Sequence, residues 1–437
     1  MNATTNLKLP LLDTRPVQDV AFLVLLLPVF WFLGIEQFVW PIAMLIVLVK
    51  AILLGQERLK MPRSLQWFGA FVIVHAISGL FIVESFRWLT FARNFGSYVA
   101  AFLVALILVN SVKSWDDALL VIRSLGLVMG ICIFVGILGI MGLWRPNLSS
   151  VVGTFLPQWI KETYYGNRIA FRIIGQYDWF AGWRYFRVIS LFAFATMFAS
   201  ALAITLPIVI FLYSATRRIS GKLFWLIVLF SGGVCLLFTT GRVAAFSFAI
   251  GGIFYFWYYA RSRKLVRLTA TVALGCVATL IFVNTIFSRE PVPANLVSFS
   301  NDFYYARRAS VSDRGYVYQK TIEGWLERPI LGWGTERDIP DHPFPAGSHS
   351  HYLGILYKQG AVGLIIYVTM MIKIWQELRP VPRQNKHEQL FLVISRWVLL
   401  TAIFNGFTDV LDLDATVYLF LWIIVGLVLA LKTLPNE

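Results

Sequence analysis

The sequence predicts an all-α integral membrane protein with about twelve transmembrane helices, and three observations carry that prediction. The chain has 437 residues, of which 58% are hydrophobic and only 14% charged, too little charge to solvate a soluble protein of this length. Apolar runs of about 20 residues recur, the length that crosses a hydrocarbon core as a helix. Clusters of Lys and Arg occupy alternate connections between those runs.

In chain order the expected spans are 18–35, 37–54, 65–83, 88–110, 118–143, 188–214, 223–239, 243–260, 268–287, 353–375, 390–408 and 414–431. They form a single polytopic unit over 1–437, because a helical bundle in lipid does not divide by length. No basic segment followed by a small-residue cleavage site opens the chain, so the first run is kept as a span. One set of connections holds Arg58, Lys60 and Arg63, then Lys113, then Arg217, Arg218 and Lys222, then Arg261, Arg263, Lys264 and Arg267, then Arg379, Arg383 and Lys386. Twelve spans put all five on one side together with both termini, and the positive-inside rule makes that side cytoplasmic.

The net charge of +15 would suggest nucleic acid in a soluble protein. Here basic residues flanking spans account for it, so the expected partners are membrane lipids and no nucleic acid. Cys132, Cys235 and Cys276 all lie inside apolar runs, which argues against a disulfide framework and a zinc site.

The opposite side carries two long segments, 144–187 and 288–352. Long loops translocate largely regardless of charge, so their charge reports something else. The first holds Arg145, Lys161, Arg168, Arg172, Arg184 and Arg187 against Glu162 and Asp178, a balance suited to an anionic ligand or to lipid headgroups. The second contains an expected amphipathic helix at 311–329, with Ser312 as N-cap, Pro329 as stop, and Val317, Tyr318, Thr321, Ile322, Trp325 and Leu326 on one face. Such a helix beside a bilayer can roof a cavity.

Several side chains on that face suit chemistry. Arg242 sits between two expected spans, Arg187 is expected to open the sixth span, and Arg314 the amphipathic helix. Guanidinium is the best bidentate match for phosphate, and an arginine held at membrane depth costs about 2.5–3.5 kcal/mol, which usually implies a partner. Each could equally be a turn residue reaching the headgroups. Gly332-Trp333-Gly334 reads either as an anion-binding amide nest with an indole to stack on a sugar, or as a tight turn anchored by Trp333. His349 and His351 stand where a loop becomes a span; imidazole accepts protons near neutral pH, and neighbouring arginines should keep it neutral. Either histidine could instead cap or brace the helix. His75, mid-span, is expected to bond to a neighbouring helix. Asp412-Leu413-Asp414, with Asp409 nearby, could hold a metal, but the stronger expectation is that these acids hold arginines or cap a helix, so no metal is expected. Walker, Ser-His-Asp and zinc motifs do not occur.

"SDRGYVYQKTIEGWLERPILGWG" followed by "SHSHYLGILYKQGAVGLIIY" resembles the signature region of the O-antigen ligase and polymerase family. The matching positions are Ser312 and Arg314, Trp325, Pro329, Gly332 and Gly334, His349-Ser350 with Tyr352-Leu353, and Gly360 with Gly363. "TTGRVAAF" is similar to the family's arginine turn between adjacent spans, and "FRVISLFAFAT" to its arginine at the start of a middle span. Ser350 departs from the commoner asparagine, and His351 fills the spacer position.

The resemblance implies transfer of a polysaccharide from undecaprenyl diphosphate, at the periplasmic face of the bacterial inner membrane, to lipid A–core in lipopolysaccharide biosynthesis. The polymerases of the family join lipid-linked repeat units instead, and a third branch glycosylates proteins. With the physical reading it implies a metal-independent glycosyltransferase without cofactor. Arg187, Arg242 and Arg314 would clamp the diphosphate, with Arg168 and Arg172 as weaker candidates. His349 would be the general base of an inverting displacement, with His351, Trp333 and Tyr352 as secondary candidates. A lipid-linked glycan transporter is the competing class, but it predicts pseudo-symmetric halves and paired intramembrane charges, which the sequence does not display.

Overall fold

The computed structural model describes residues 15–53, 59–180, 183–259, 308–379 and 385–434. Their apolar runs fold into a helical bundle: α1 (Pro16–Leu25), α2 (Leu27–Leu33), α3 (Val39–Leu53), α4 (Arg63–Gly79), α5 (Arg87–Ser111), α6 (Trp115–Ile140), α10 (Ala195–Ala215), α11 (Ile219–Phe238), α12 (Arg242–Tyr259), α14 (His351–Glu377), α15 (Lys386–Asn405) and α16 (Ala415–Thr433). Three short helices of the first long loop, α7 (Val151–Phe155), α8 (Gln158–Lys161) and α9 (Tyr164–Ala170), and the helix α13 (Arg308–Glu327) complete the set. The expected span 268–287 lies outside the described residues.

Seven of these helices are long and apolar enough to cross a membrane, or eight if α1 and α2 form one span bent by 54°. Eleven of the twelve expected spans fall on described residues, so among these the helices long enough number fewer than expected. Pro28 at the second position of α2 lacks an N–H for the carbonyl one turn back, so the first run breaks. Helices α3 and α4 are shorter than the runs that predicted them, at 15 and 17 residues.

Helices α10 and α16 are apolar all round and sit at the centre, buried along most of their length. Against them pack α5 on α16, α4 on α14, and α10 with α12 on α15. Aromatic contacts seal the α4–α5–α16 seam: Phe68 stacks on Trp422 at 3.9 Å, and Phe71 meets Tyr98 edge-on at 5.0 Å. At one end of the bundle three of the expected basic connections, those of Lys60–Arg63, Lys113 and Arg379, meet: Lys60 N–H donates to Asn110, Ser64 N–H to Glu377, and Arg15 pairs with Asp117; the connection 261–267 lies outside the described residues.

The other end is not all-α. In the 144–187 segment, β1 (Asn147–Ser149) pairs antiparallel with β2 (Phe171–Ile173), and β3 (Gly175–Phe180) with β4 (Trp183–Val188). Arg187 therefore belongs to β4 and does not open a span; the helix after it starts at Ala195. Alternation along the hairpin turns Gln176, Asp178, Tyr185 and Arg187 to one face. On the opposite face Tyr177 and Phe186 meet, with the Arg145 guanidinium 4.1 Å from the Phe186 ring.

Candidate active site

Helix α13 begins at Arg308, so Ser312 lies inside it rather than capping it. Its expected apolar face divides: Val317 and Thr321 are buried, whereas Ile322 and Leu326 are exposed. The buried half grips the loop before α14. Thr321 Oγ1 accepts from Gly347 N–H at 2.8 Å, and Tyr318 OH donates to the carbonyl of His349 at 2.8 Å.

The segment after α13 docks into a break in α14. Gly360 (φ 67°, ψ −169°) interrupts that helix, and the turn 329–334 takes up the freed backbone groups. Ala361 N–H donates to Pro329 O at 2.8 Å, Trp333 N–H to Tyr357 O at 2.9 Å, and Gly334 N–H to Lys358 O at 2.8 Å. A Cβ at Gly360 would collide with the Ile330 carbonyl, and one at Gly332 with that of Tyr357. The Trp333 and Gly334 amides thus bind α14 carbonyls, and the Gly332 N–H donates to Arg328 O at 3.1 Å, so none of the three is left for an anion. Trp333 is an anchor: its Nε1–H donates to Gly324 O at 2.7 Å, and Arg328 and Arg337 lie 3.9 and 4.1 Å from its ring.

The docked loop presents His349 with a left-handed backbone (φ 62°), a conformation that costs roughly 1–3 kcal/mol in a non-glycine residue and persists only where its surroundings hold it. Here the Tyr318 bond and the Phe344 ring, 4.5 Å away, hold it. His349 Nε2 is buried and has no hydrogen-bond partner among the described residues. Burial, and then the Arg314 charge, lower its pKa from 6.5 to about 4, so the ring is neutral at pH 7.

Asp409, in the α15–α16 connection, brings the arginines together. Arg314 Nη2 lies 3.8 Å from Asp409 Oδ1. Burial pushes the Asp409 carboxyl up to about 6, against the opposing pull of Arg314 and Arg187. Arg187 Nη1 also reaches Asp178 at 3.2 Å, and its Nε donates to Thr239 O at 2.9 Å in the turn from which Arg242 issues. Tyr185 OH joins Thr240 Oγ1 in that turn at 2.9 Å. Arg187 of β4 is thus tied to the turn that leads into Arg242 and α12, while Arg314 of α13 acts on both Asp409 and His349.

The secondary candidates fall elsewhere. Arg172 is 2% exposed and bound bidentately to Glu36 at 2.8 and 3.0 Å, so its guanidinium is spent on tying the first long loop to the α2–α3 turn. Arg168 donates to Gln176 Oε1 at 2.5 Å, on the hairpin face that carries Arg187. Tyr352 OH donates to Ile403 O at 2.9 Å. His75 contradicts its expectation: neither ring nitrogen has a partner among the described residues, and the ring stacks on Phe91 instead.

His351 belongs to a second, buried network. Its Nδ1 lies 2.9 Å from Asp412 Oδ1, while Lys358 Nζ donates to Asp412 Oδ2 at 3.0 Å and Glu336 Oε1 at 3.2 Å. Tyr98 OH also donates to Asp412, and Asn94 Nδ2 to Glu336 at 3.0 Å. Burial works to raise the Asp412 carboxyl, yet Lys358 and His351 hold it well below the usual range. Asp414 caps α16, accepting from Thr416 N–H at 2.9 Å. Asp414 thus caps a helix, as expected, whereas Asp412 holds a lysine and a histidine rather than the arginine expected of it.

Sequence reasoning passed over Glu336, Lys358 and Tyr98. Lys358 carried a readable signal, since a lysine inside an apolar run demands a partner. Glu336 and Tyr98 carried none, because nothing in their local pattern marks a distant charge.

Fold and site together define a multi-pass membrane protein with a cluster of arginines and a neutral histidine at one end of its bundle. Residues 225–368, about a third of the chain, match the family model described as O-Antigen ligase. The match contains Arg242, Arg314, His349 and His351; Arg187 and Asp409 lie outside it. A protein of Rickettsia typhi described as "Putative polysaccharide ligase" is 25% identical over 197 residues, 41% of this chain and 45% of that protein. One of Rickettsia prowazekii with the same description is 24% identical over 193 residues, 40% and 44% of the two chains. The match thus spans less than half the length of either relative.

Proposed function

We propose that the protein is an O-antigen ligase of the bacterial inner membrane, acting at the periplasmic face and transferring polysaccharide from undecaprenyl diphosphate to a sugar hydroxyl of lipid A–core. The observation that carries this reading is Arg314 beside Asp409, a carboxyl on which the Arg187 charge also acts, together with the unpartnered Nε2 of His349, on which Arg314 acts too. The basic connections gathered at the other end of the bundle support a cytoplasmic assignment for that end, and so a periplasmic one for the site.

In this mechanism the donor diphosphate takes the place of the Asp409 carboxylate between the arginines, which hold the leaving group's charge. Preorganised positive charge of this kind is usually the largest single catalytic contribution. His349 Nε2 accepts the proton of the acceptor hydroxyl as its oxygen bonds to the anomeric carbon. The bond from that carbon to the diphosphate breaks, undecaprenyl diphosphate leaves with the electron pair, and the configuration inverts. General base catalysis contributes about 10²–10⁴-fold. No step uses a metal.

The test is transfer by the purified protein with EDTA present, read by gel shift of lipopolysaccharide, comparing wild type with His349→Ala and His351→Ala. Transfer lost in His349→Ala together with inverted product stereochemistry by NMR supports the reading. Retention of configuration, or full activity in His349→Ala, sinks the mechanism. Offering lipid-linked repeat units in place of lipid A–core gives the polymerase its own outcome, and substrate movement without transfer would favour the transporter.

A further inference from the structure

A cavity of about 380 Å³ opens in the first long loop, between α8 and α9, and the proposed mechanism does not use it. Gln158, Lys161, Thr163, Asn167, Arg168 and Phe171 line it. We propose that it is a subsite for an anionic oligosaccharide, the phosphorylated or acidic sugars of one of the two glycan substrates. The inference rests on the ligase-type reading of the arginine site.

The lining suits that ligand class. Amide and hydroxyl side chains match sugar hydroxyls, which both donate and accept. Lys161 and Arg168 supply cations for a phosphate or carboxylate. The one carboxylate in the lining, Glu162, already accepts from Gln158 Nε2 at 3.1 Å, and Lys161 has no ion-pair partner among the described residues. The Phe171 ring gives an apolar face, and Trp159 of α8 stands 64% exposed nearby in sequence. Polar lining with a few aromatic faces is the chemistry of carbohydrate recognition rather than of lipid tails.

The cavity is also tied into the fold of the loop. Thr163 Oγ1 caps α9 by accepting from Gly166 N–H at 3.0 Å, and Gly166 packs so tightly on the Ile160 carbonyl that no Cβ fits there. Arg168 is braced by Gln176 at 2.5 Å and lies 5.7 Å from the Phe194 ring. Gln176 is the cross-strand partner of Arg187, and directly opposed residues on an antiparallel pair share a face with Cα atoms about 4.5–5.5 Å apart. A chain of contacts, Arg168 to Gln176 to Arg187, thus joins the cavity to the proposed diphosphate clamp. A glycan whose linkage is made or broken beside Arg187 would run along the hairpin face past Gln176 to Arg168 in the cavity lining.

The experiment uses the full-length protein in detergent, with saturation-transfer NMR and calorimetry. The probes are phosphorylated core oligosaccharide, the same oligosaccharide after phosphatase treatment, and a delipidated fragment of acidic O-polysaccharide. Binding of one charged probe, weakened about tenfold by Lys161→Ala with Asn167→Ala and restored at position 161 by Lys161→Arg, supports the subsite and identifies its source. In transfer assays the loss falls on KM for that substrate rather than on kcat. Equal binding of charged and dephosphorylated core with no acidic-glycan binding, charged-probe binding untouched by the double variant, or no binding of any probe overturns it. Failure of wild type to transfer glycan, with the binding difference intact, overturns the ligase reading and leaves the subsite standing.

Discussion

Lys358 Nζ lies 3.0 Å from Asp412 Oδ2 and 3.2 Å from Glu336 Oε1, with the Lys358 and Asp412 side chains each 1% exposed. One ammonium therefore ties α14 to the loop that follows α13 and to the connection that carries Asp409. Through His351 and Asp412 the same network reaches the neighbour of His349 but one, so the frame of the site is ionic where the bundle around it is apolar.

Removing that ammonium leaves two buried carboxylates facing each other. Lys358→Met should lower stability by about 3–5 kcal/mol, the cost of breaking a buried pair from one side. Thermal unfolding in detergent reads the effect, and Lys358→Met with Asp412→Asn should recover part of it. A single variant as stable as wild type would show that the network carries no weight.

The Glu36–Arg172 pair makes a parallel case in the first long loop. Burial pushes the Glu36 carboxyl up to about 7, with Arg172 pulling against it, so the two charges are held at a cost in desolvation. Arg172→Met alone strands a buried acid and should destabilise the protein. Arg172→Met with Glu36→Leu removes both charges and should be close to wild type in melting temperature. If the double variant is as damaged as the single, the pair acts through more than charge balance.

Gly360 is required by its left-handed φ and by the Ile330 carbonyl packed against it. Gly360→Ala should destabilise by more than the roughly 0.4–1 kcal/mol by which a compatible glycine-to-alanine substitution stabilises, because neither φ nor space allows a Cβ. Protease protection of the 329–350 loop would fall with it. Unchanged protection would mean that the loop does not depend on the break in α14.

The pH profile of transfer tests the link between His349 and Arg314. A histidine whose pKa is lowered to about 4 stays an unprotonated base down to acid pH, so the acid limb of kcat/KM for the free protein should lie below the 6.5 of an ordinary histidine. Arg314→Gln removes one cationic cause, while burial, the larger cause, remains. The limb should move to higher pH even though the overall rate falls. A limb that stays put or moves to lower pH would separate Arg314 from His349.

Composition and the period of apolar runs were enough to read a multi-span helical protein, since hydrocarbon leaves the backbone almost no other way to satisfy itself. Arg242, at a turn between apolar runs, and the histidine loop at the start of α14 stood out by local chemistry, because a polar group at the edge of an apolar run contrasts with its surroundings, whereas Arg314, expected to open its helix, lies six residues inside it. Position alone could not show that Arg187 sits on a strand, since a short hairpin inside a polar loop has no strong alternation to announce it. Nor could it separate Arg172, committed to Glu36 136 residues away, from Arg168, which is braced beside the hairpin face. The Gly-Trp-Gly stretch had two local readings, and only its docking into the broken α14 chose between them. Sequence by itself determined which residues must leave lipid and where charge is too costly to be idle; tertiary structure decided which charges neutralise one another, because ion pairing depends on distance through space and the sequence encodes separation only along the chain.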